Sequence, residues 1–170
     1  MAMTALPTYP VVVFGIIEPA LLIWAYISAL RSPSTFFYTQ IPPSSPLSSP
    51  NPNPNPNPPD LSPQAHILTL QLANVYLLLA ALGVLCASTS HARVARWYLA
   101  AVAAADWGHV WAVRRGAGAA VFWDVRRWND MLWGGVGVSV LLNALRVLTL
   151  LGAFGPVRDG GRRDGGGKGE

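Results

Sequence analysis

Hydrophobic residues crowd four stretches of this chain, 10–30, 66–87, 94–113 and 131–153, separated by segments rich in proline, arginine or glycine. About 20 predominantly apolar residues cross the hydrocarbon core of a bilayer as a helix, so the pattern predicts four transmembrane helices. None of the runs alternates with the period of two that marks a strand. The expected fold class is all-α: an integral membrane four-helix bundle whose core is the bundle itself.

Ionisable residues interrupt the apolar runs: Glu18 in the first, Asp106 and His109 in the third, Arg146 in the fourth. Charges at such depth are expensive and mark function by default. Asp106 and His109 are spaced i, i+3, as are Gln71 and Asn74, while Ser139, Asn143 and Arg146 follow i, i+4, i+7, so each set shares one helix face. At a rise of 1.5 Å per residue, counted from the side of the termini, Glu18 lies roughly 10 Å deep and Asn143 and Arg146 roughly 8 to 15 Å. This predicts a Glu18–Arg146 ion pair. Asp106 and His109 fall at roughly 15 to 22 Å, level with Asn74, which predicts a second polar cluster. Two readings follow. The polar residues fasten helices together, with Glu18, Arg146 and Gln71 in structural roles, or Asp106 and His109 handle protons.

Pro19, directly after Glu18, removes a helical hydrogen bond and should kink the first span. Ala100, Ala104 and Gly108 on the third span, and Gly135 and Ser139 on the fourth, form small-xxx-small rows that allow close helix packing.

Residues 1–154 read as the transmembrane domain. Its first loop, 31–65, holds eleven of the fifteen prolines, including four consecutive Asn-Pro pairs at 51–58. Such a segment favours polyproline II and is expected to be solvated and poorly ordered, either as a docking site for a proline-binding module or as a low-complexity expansion. The basic, glycine-rich tail 155–170 is likewise expected to be disordered.

Composition agrees with a membrane setting. Hydrophobic residues make up 52%, charged residues 12%, and the mean hydropathy is +0.34, against about 25% charged residues in a soluble domain. The net charge of +4 comes from arginines that flank the spans, a distribution suited to anionic headgroups and not to nucleic acid. On an even number of spans, Arg93, Arg96, Arg158, Arg162, Arg163 and Lys168 share the side of the termini, and Arg31, Arg114, Arg115, Arg126 and Arg127 lie opposite. The positive-inside rule then favours cytoplasmic termini by a single charge. The first helix reads as a retained signal-anchor, in a membrane such as the endoplasmic reticulum. Trp97, Trp111, Trp123, Trp128 and Trp133 fall near expected interfaces. One cysteine, Cys86, excludes an intramolecular disulfide and a thiolate metal cluster. No nucleophile elbow, zinc motif or phosphate loop occurs, and no metal or cofactor is expected.

The order Ile17-Glu18-Pro19, Leu70-Gln71-Leu72-Ala73-Asn74-Val75-Tyr76, Ala105-Asp106-Trp107-Gly108-His109 and Trp128-Asn129-Asp130-Met131-Leu132-Trp133-Gly134 resembles an uncharacterised family of small fungal four-helix integral membrane proteins. That resemblance implies no established activity. More remotely, four spans with buried acids resemble the EXPERA group of sterol isomerase-like and sigma-2-like proteins, which implies a lipid or sterol pocket. The expected function is a multi-pass bundle that binds membrane lipids, an apolar small molecule or a membrane partner, alone or as a homo-oligomer. The alternative is a sterol or terpenoid isomerase or binding protein. There Asp106, His109 and Glu18 would move protons, Trp107 would stabilise a cation through its ring, and Asn74, Trp107 and Asn143 would contact the ligand.

The even span number generates a prediction: a tag inserted at 51–58 and a tag after Glu170 lie on opposite faces of the membrane. Protease protection in sealed vesicles checks it, and cleavage of both tags from one side refutes it.

Overall fold

The computed structural model describes residues 4–42 and 59–160. The expectations of disorder for 43–58 and 161–170 lie outside the described residues. Within them the chain is helical, and no strand occurs. Four long helices are present: α1, Thr8–Arg31; α3, Pro63–Ala87; α4, Ala92–Ala117; and α6, Asp130–Leu150. Two short ones join them, α2, Pro33–Tyr38, and α5, Ala119–Trp123. Among the described residues, α1, α3 and α6 are long and apolar enough to cross a membrane. The fourth, α4, has the length, but Asp106, His109 and the arginines near its two ends lower its hydropathy.

Local chemistry sets the helix ends. Ser62 caps α3 by accepting from the Ala65 amide at 3.2 Å, and Pro63 occupies the first turn, where its missing N–H costs nothing. Gly118 stops α4, with φ +81 and its amide bonded to the Arg114 carbonyl, a left-handed conformation that favours glycine.

Pro19 acts on α1 by widening the turn before it. Val13–Ile17 form a π-turn, and the Glu18 amide reaches back five residues to the Val13 carbonyl. A wider turn relieves the clash between a proline ring and the preceding carbonyls. A second π-turn, Trp133–Gly137, lies near the start of α6.

The helices associate as two pairs. α1 packs along α3, and α4 packs along α6, while contact between the pairs is sparser. Small residues set the close approach of α1 and α3: Ala29 and Ala73 are fully buried, and a Cβ on Gly15 would meet Ala87 Cβ at 3.2 Å. The seam between the pairs is closed at both ends. At one end, Leu6, Val13 and Phe14 share a core with Ala87, Ala95, Leu99 and Val157. At the other, Asn129 Nδ2 donates to the Thr39 carbonyl at 2.8 Å, and Met131 packs on the cluster of Ala29, Phe36 and Ala73.

Two segments depart from the expected loops. Within 31–65, residues 33–38 are helical, because Pro33 starts the turn and Phe36 buries itself against α1 and α3. Of the tail, 155–160 is docked. Val157 is buried, the Arg158 amide donates to the Ala5 carbonyl at 3.1 Å, and the Gly160 amide donates to the Ser90 carbonyl at 2.8 Å. Asp159 Oδ1 accepts from the Ala92 amide at 2.8 Å, so it supplies the N-terminal cap of α4 that His91 does not. A buried valine and a capping aspartate hold this stretch despite its glycines.

The outward faces are mostly apolar. Ile16, Trp24, Leu68, Leu85, Trp97 and Leu141 are all exposed, while Glu18, Asn143 and Arg146 are buried.

Gly83 carries the crossing of the bent α1 with α3. A Cβ there would sit 3.1 Å from the Phe14 carbonyl oxygen, 3.1 Å from the Tyr98 hydroxyl and 3.2 Å from the Pro19 ring. Gly83→Val should therefore destabilise by about 1–3 kcal/mol through overpacking. Gly108→Ala, where a Cβ meets nothing within 4 Å, should be neutral or stabilising. Thermal melting of both variants in detergent checks the pair; equal melting temperatures would contradict the packing.

A candidate functional site at a buried carboxylate–guanidinium–carboxylate cluster

Three of the four long helices send a charged side chain to one point in the seam. Arg146 of α6 is fully buried. Its Nη1 donates to Asp106 Oδ2 of α4 at 2.5 Å, and its Nη2 donates to Glu18 Oε1 of α1. The Phe14 ring lies with its centroid 5.1 Å from the guanidinium carbon, a cation–π contact. The π-turn between Phe14 and Glu18 brings ring and carboxylate to the same guanidinium.

Asn143, one turn before Arg146 on α6, is buried and donates through Nδ2 to the Ala103 carbonyl at 2.7 Å. It also faces the Asp106 carboxylate. This fixes α6 against α4 and holds Asp106 towards the arginine. Among the described residues, two buried side-chain polar atoms have no hydrogen-bond partner, and both belong to this cluster: Glu18 Oε2 and Arg146 Nε.

The geometry gathers the polar residues into one cluster where depth counting gives two. Glu18 and Arg146 meet, and Asp106 joins them. The reason is reach: a helical rise locates backbone atoms, but an arginine extends several ångströms beyond its own Cα and presents separate N–H groups to two carboxylates. Asp106 therefore turns to Arg146, and His109, one turn further along α4, faces the π-turn of α6. A Cβ on Gly135 would stand 3.6 Å from His109 Nε2.

The remaining candidates lie elsewhere. Gln71 and Asn74 are on the exposed face of α3, so Asn74 does not join Asp106 and His109. Trp107 is 63% exposed on the outer face of α4, away from the guanidinium. Phe14 was not among the sequence candidates, although its i, i+4 spacing to Glu18 places both on one helix face. Asp159 also escaped notice, because nothing in a glycine-rich tail signals which amide a carboxylate will cap.

Chemically, the cluster joins two carboxylates to one guanidinium. Removing one partner of a buried pair typically costs about 3–5 kcal/mol, because the group left behind stays buried without compensation. Arg146→Met, which leaves Glu18 and Asp106 facing each other, should be the most destabilising single change, at about that magnitude. Glu18→Gln and Asp106→Asn each keep an oxygen for the guanidinium and should cost less. Joint Glu18→Leu and Arg146→Met should cost less than the sum of the two singles. Melting in detergent reads all five variants; additive losses for the double variant would show that the pair does not couple.

No curated protein and no solved structure matches the chain. A family described as a domain of unknown function (DUF7704) matches residues 3–156. That match spans all four long helices and the charged cluster and stops one residue before the docked Val157, and on its extent the chain belongs to the DUF7704 family.

Proposed function

We propose that this chain is a multi-pass membrane protein in which α1, α3, α4 and α6 all cross the bilayer, and that it binds a lipid in the seam between its two helix pairs. One observation carries the reading: charge is inside and apolar surface is outside. A fully buried arginine with two carboxylates sits within a shell whose exposed residues include Trp24, Leu68, Leu85 and Leu141. Soluble domains do not present so much apolar surface to water, whereas lipid covers it without cost and cannot solvate the charges.

The cluster also supports α4 as the fourth crossing. Its one acidic residue, Asp106, pairs with Arg146 within the bundle, so that carboxylate does not face lipid, and its arginines lie near its two ends. With four crossings the termini share a side, which agrees with the hydrogen bonds that tie Ala5 to Thr89 and Arg158.

The arrangement of the pairs supports the lipid-binding reading. The helix pairs close on each other at both ends, and the middle of the seam is spanned by a long charged side chain. Two polar atoms there have no partner. A cluster that only fastened helices would use its donors and acceptors on one another.

Native mass spectrometry of the detergent-purified full chain, followed by lipid extraction, tests the reading. A defined lipid retained near one-to-one, and lost in Arg146→Met relative to wild type, is the expected result. Bulk phospholipid in the same proportions for both proteins would overturn it.

A further inference from the structure

Resting on the lipid-binding reading above, we propose that the seam takes a neutral lipid with a free hydroxyl, whose oxygen accepts from Arg146 Nε–H and donates to Glu18 Oε2. Both atoms are buried, and neither has a hydrogen-bond partner. Arg146 is fully buried and Glu18 is 7% exposed. Leaving a buried donor and a buried acceptor unmade costs free energy at each, and the two belong to residues already joined through Arg146 Nη2 and Glu18 Oε1.

The chemistry of the site selects the ligand class. Nη1 and Nη2 each have a partner in Asp106 and Glu18, and Phe14 stands beside the guanidinium, so Nε is the guanidinium nitrogen without one. A phosphate or carboxylate head would accept from it, yet would enter beside two carboxylates that share a single guanidinium. An ammonium head would satisfy Glu18 but bring a third set of donors to Nε and no acceptor. A hydroxyl offers one donor and two acceptor lone pairs, and it carries no charge to desolvate. Ile17 and Leu21, beside Glu18 in sequence, are apolar and exposed, so a ligand whose hydroxyl reaches in past them carries an apolar body along the outer side of α1. Water can make the same two hydrogen bonds, so the test separates a lipid alcohol from water.

The full chain in detergent micelles is melted with oleyl alcohol or with oleyl methyl ether at the same mole fraction. The ether accepts from Nε–H but cannot donate to Oε2. The alcohol should raise the melting temperature of the wild type by roughly 5 °C at saturating ligand, and the ether by much less. In Glu18→Gln the amide keeps an oxygen for Arg146 Nη2 but loses the second carboxylate oxygen, and the difference between the probes should vanish. Should that variant fail to fold, isotope-labelled arginine in the wild type gives the same answer. The Nε resonance of the buried arginine should move with the alcohol and not with the ether. Equal shifts for both probes, no shift with either, or an alcohol preference that persists in Glu18→Gln would overturn the proposal and assign the site to water alone. Recovery of a bound lipid that lacks a hydroxyl would leave the lipid-binding reading standing and remove only this inference.

Discussion

A guanidinium with no exposure to its surroundings is the constraint around which the described helices are arranged. Arg146 needs acceptors, and the two it finds come from α1 and α4. Each acceptor in turn depends on a local device. Glu18 reaches the seam through the wide turn that Pro19 imposes, and Asp106 is steadied by Asn143, which bonds across to α4 one turn away. Close packing of α1 on α3 then becomes a condition of the charge cluster, since the bent helix fits only where Gly83 leaves room for the Phe14 carbonyl and the Pro19 ring. Charge and packing thus specify each other, and a network of this kind favours one arrangement of the helices over its alternatives.

Much of this architecture was legible in the sequence, for a physical reason. Apolar runs of about 20 residues announce long helices directly, and α1, α3, α4 and α6 begin and end within a few residues of those runs. Proline marked the irregular stretch of α1, which takes the form of a π-turn directly before Pro19. The meeting of Glu18 with Arg146 followed from depth alone. The inclusion of Asp106 did not, because counting along a helix axis ignores side-chain length and arginine is the longest fork available. The exposed position of Asn74 was equally hidden: α3 is apolar almost all round, so its composition does not say which face turns inward. Helix in 33–38 and docking of 155–160 depend on single residues, Phe36, Val157 and Asp159, whose partners lie far away in the chain.

The two π-turns deserve comparison. In α1 the cause is a missing amide hydrogen, and the result is a carboxylate aimed at the seam. In α6 the segment is Trp-Gly-Gly-Val-Gly, and the Trp133 ring lies so close over Gly137 that a Cβ there would be 2.9 Å from it. Glycine removes the side chain that would stand against the ring, and His109 of α4 occupies the space beside Gly135. Both interruptions therefore serve contacts between helices and not the helix that contains them, as π-turns often do.

The docked segment 155–160 ties together residues from three distant parts of the chain. Its amides bond Ala5 and Ser90, and its aspartate caps α4 at Ala92. Because the segment is the last of these parts to be synthesised, the cap on α4 and the anchoring of the first residues are completed only after α6 exists. Without the segment the Ala92 amide lacks its cap, and Ala5 keeps its hydrogen bond to Thr89 but loses the one from Arg158. The segment is a clasp: a chain that stopped short of Val157 would carry every long helix and still lack these contacts.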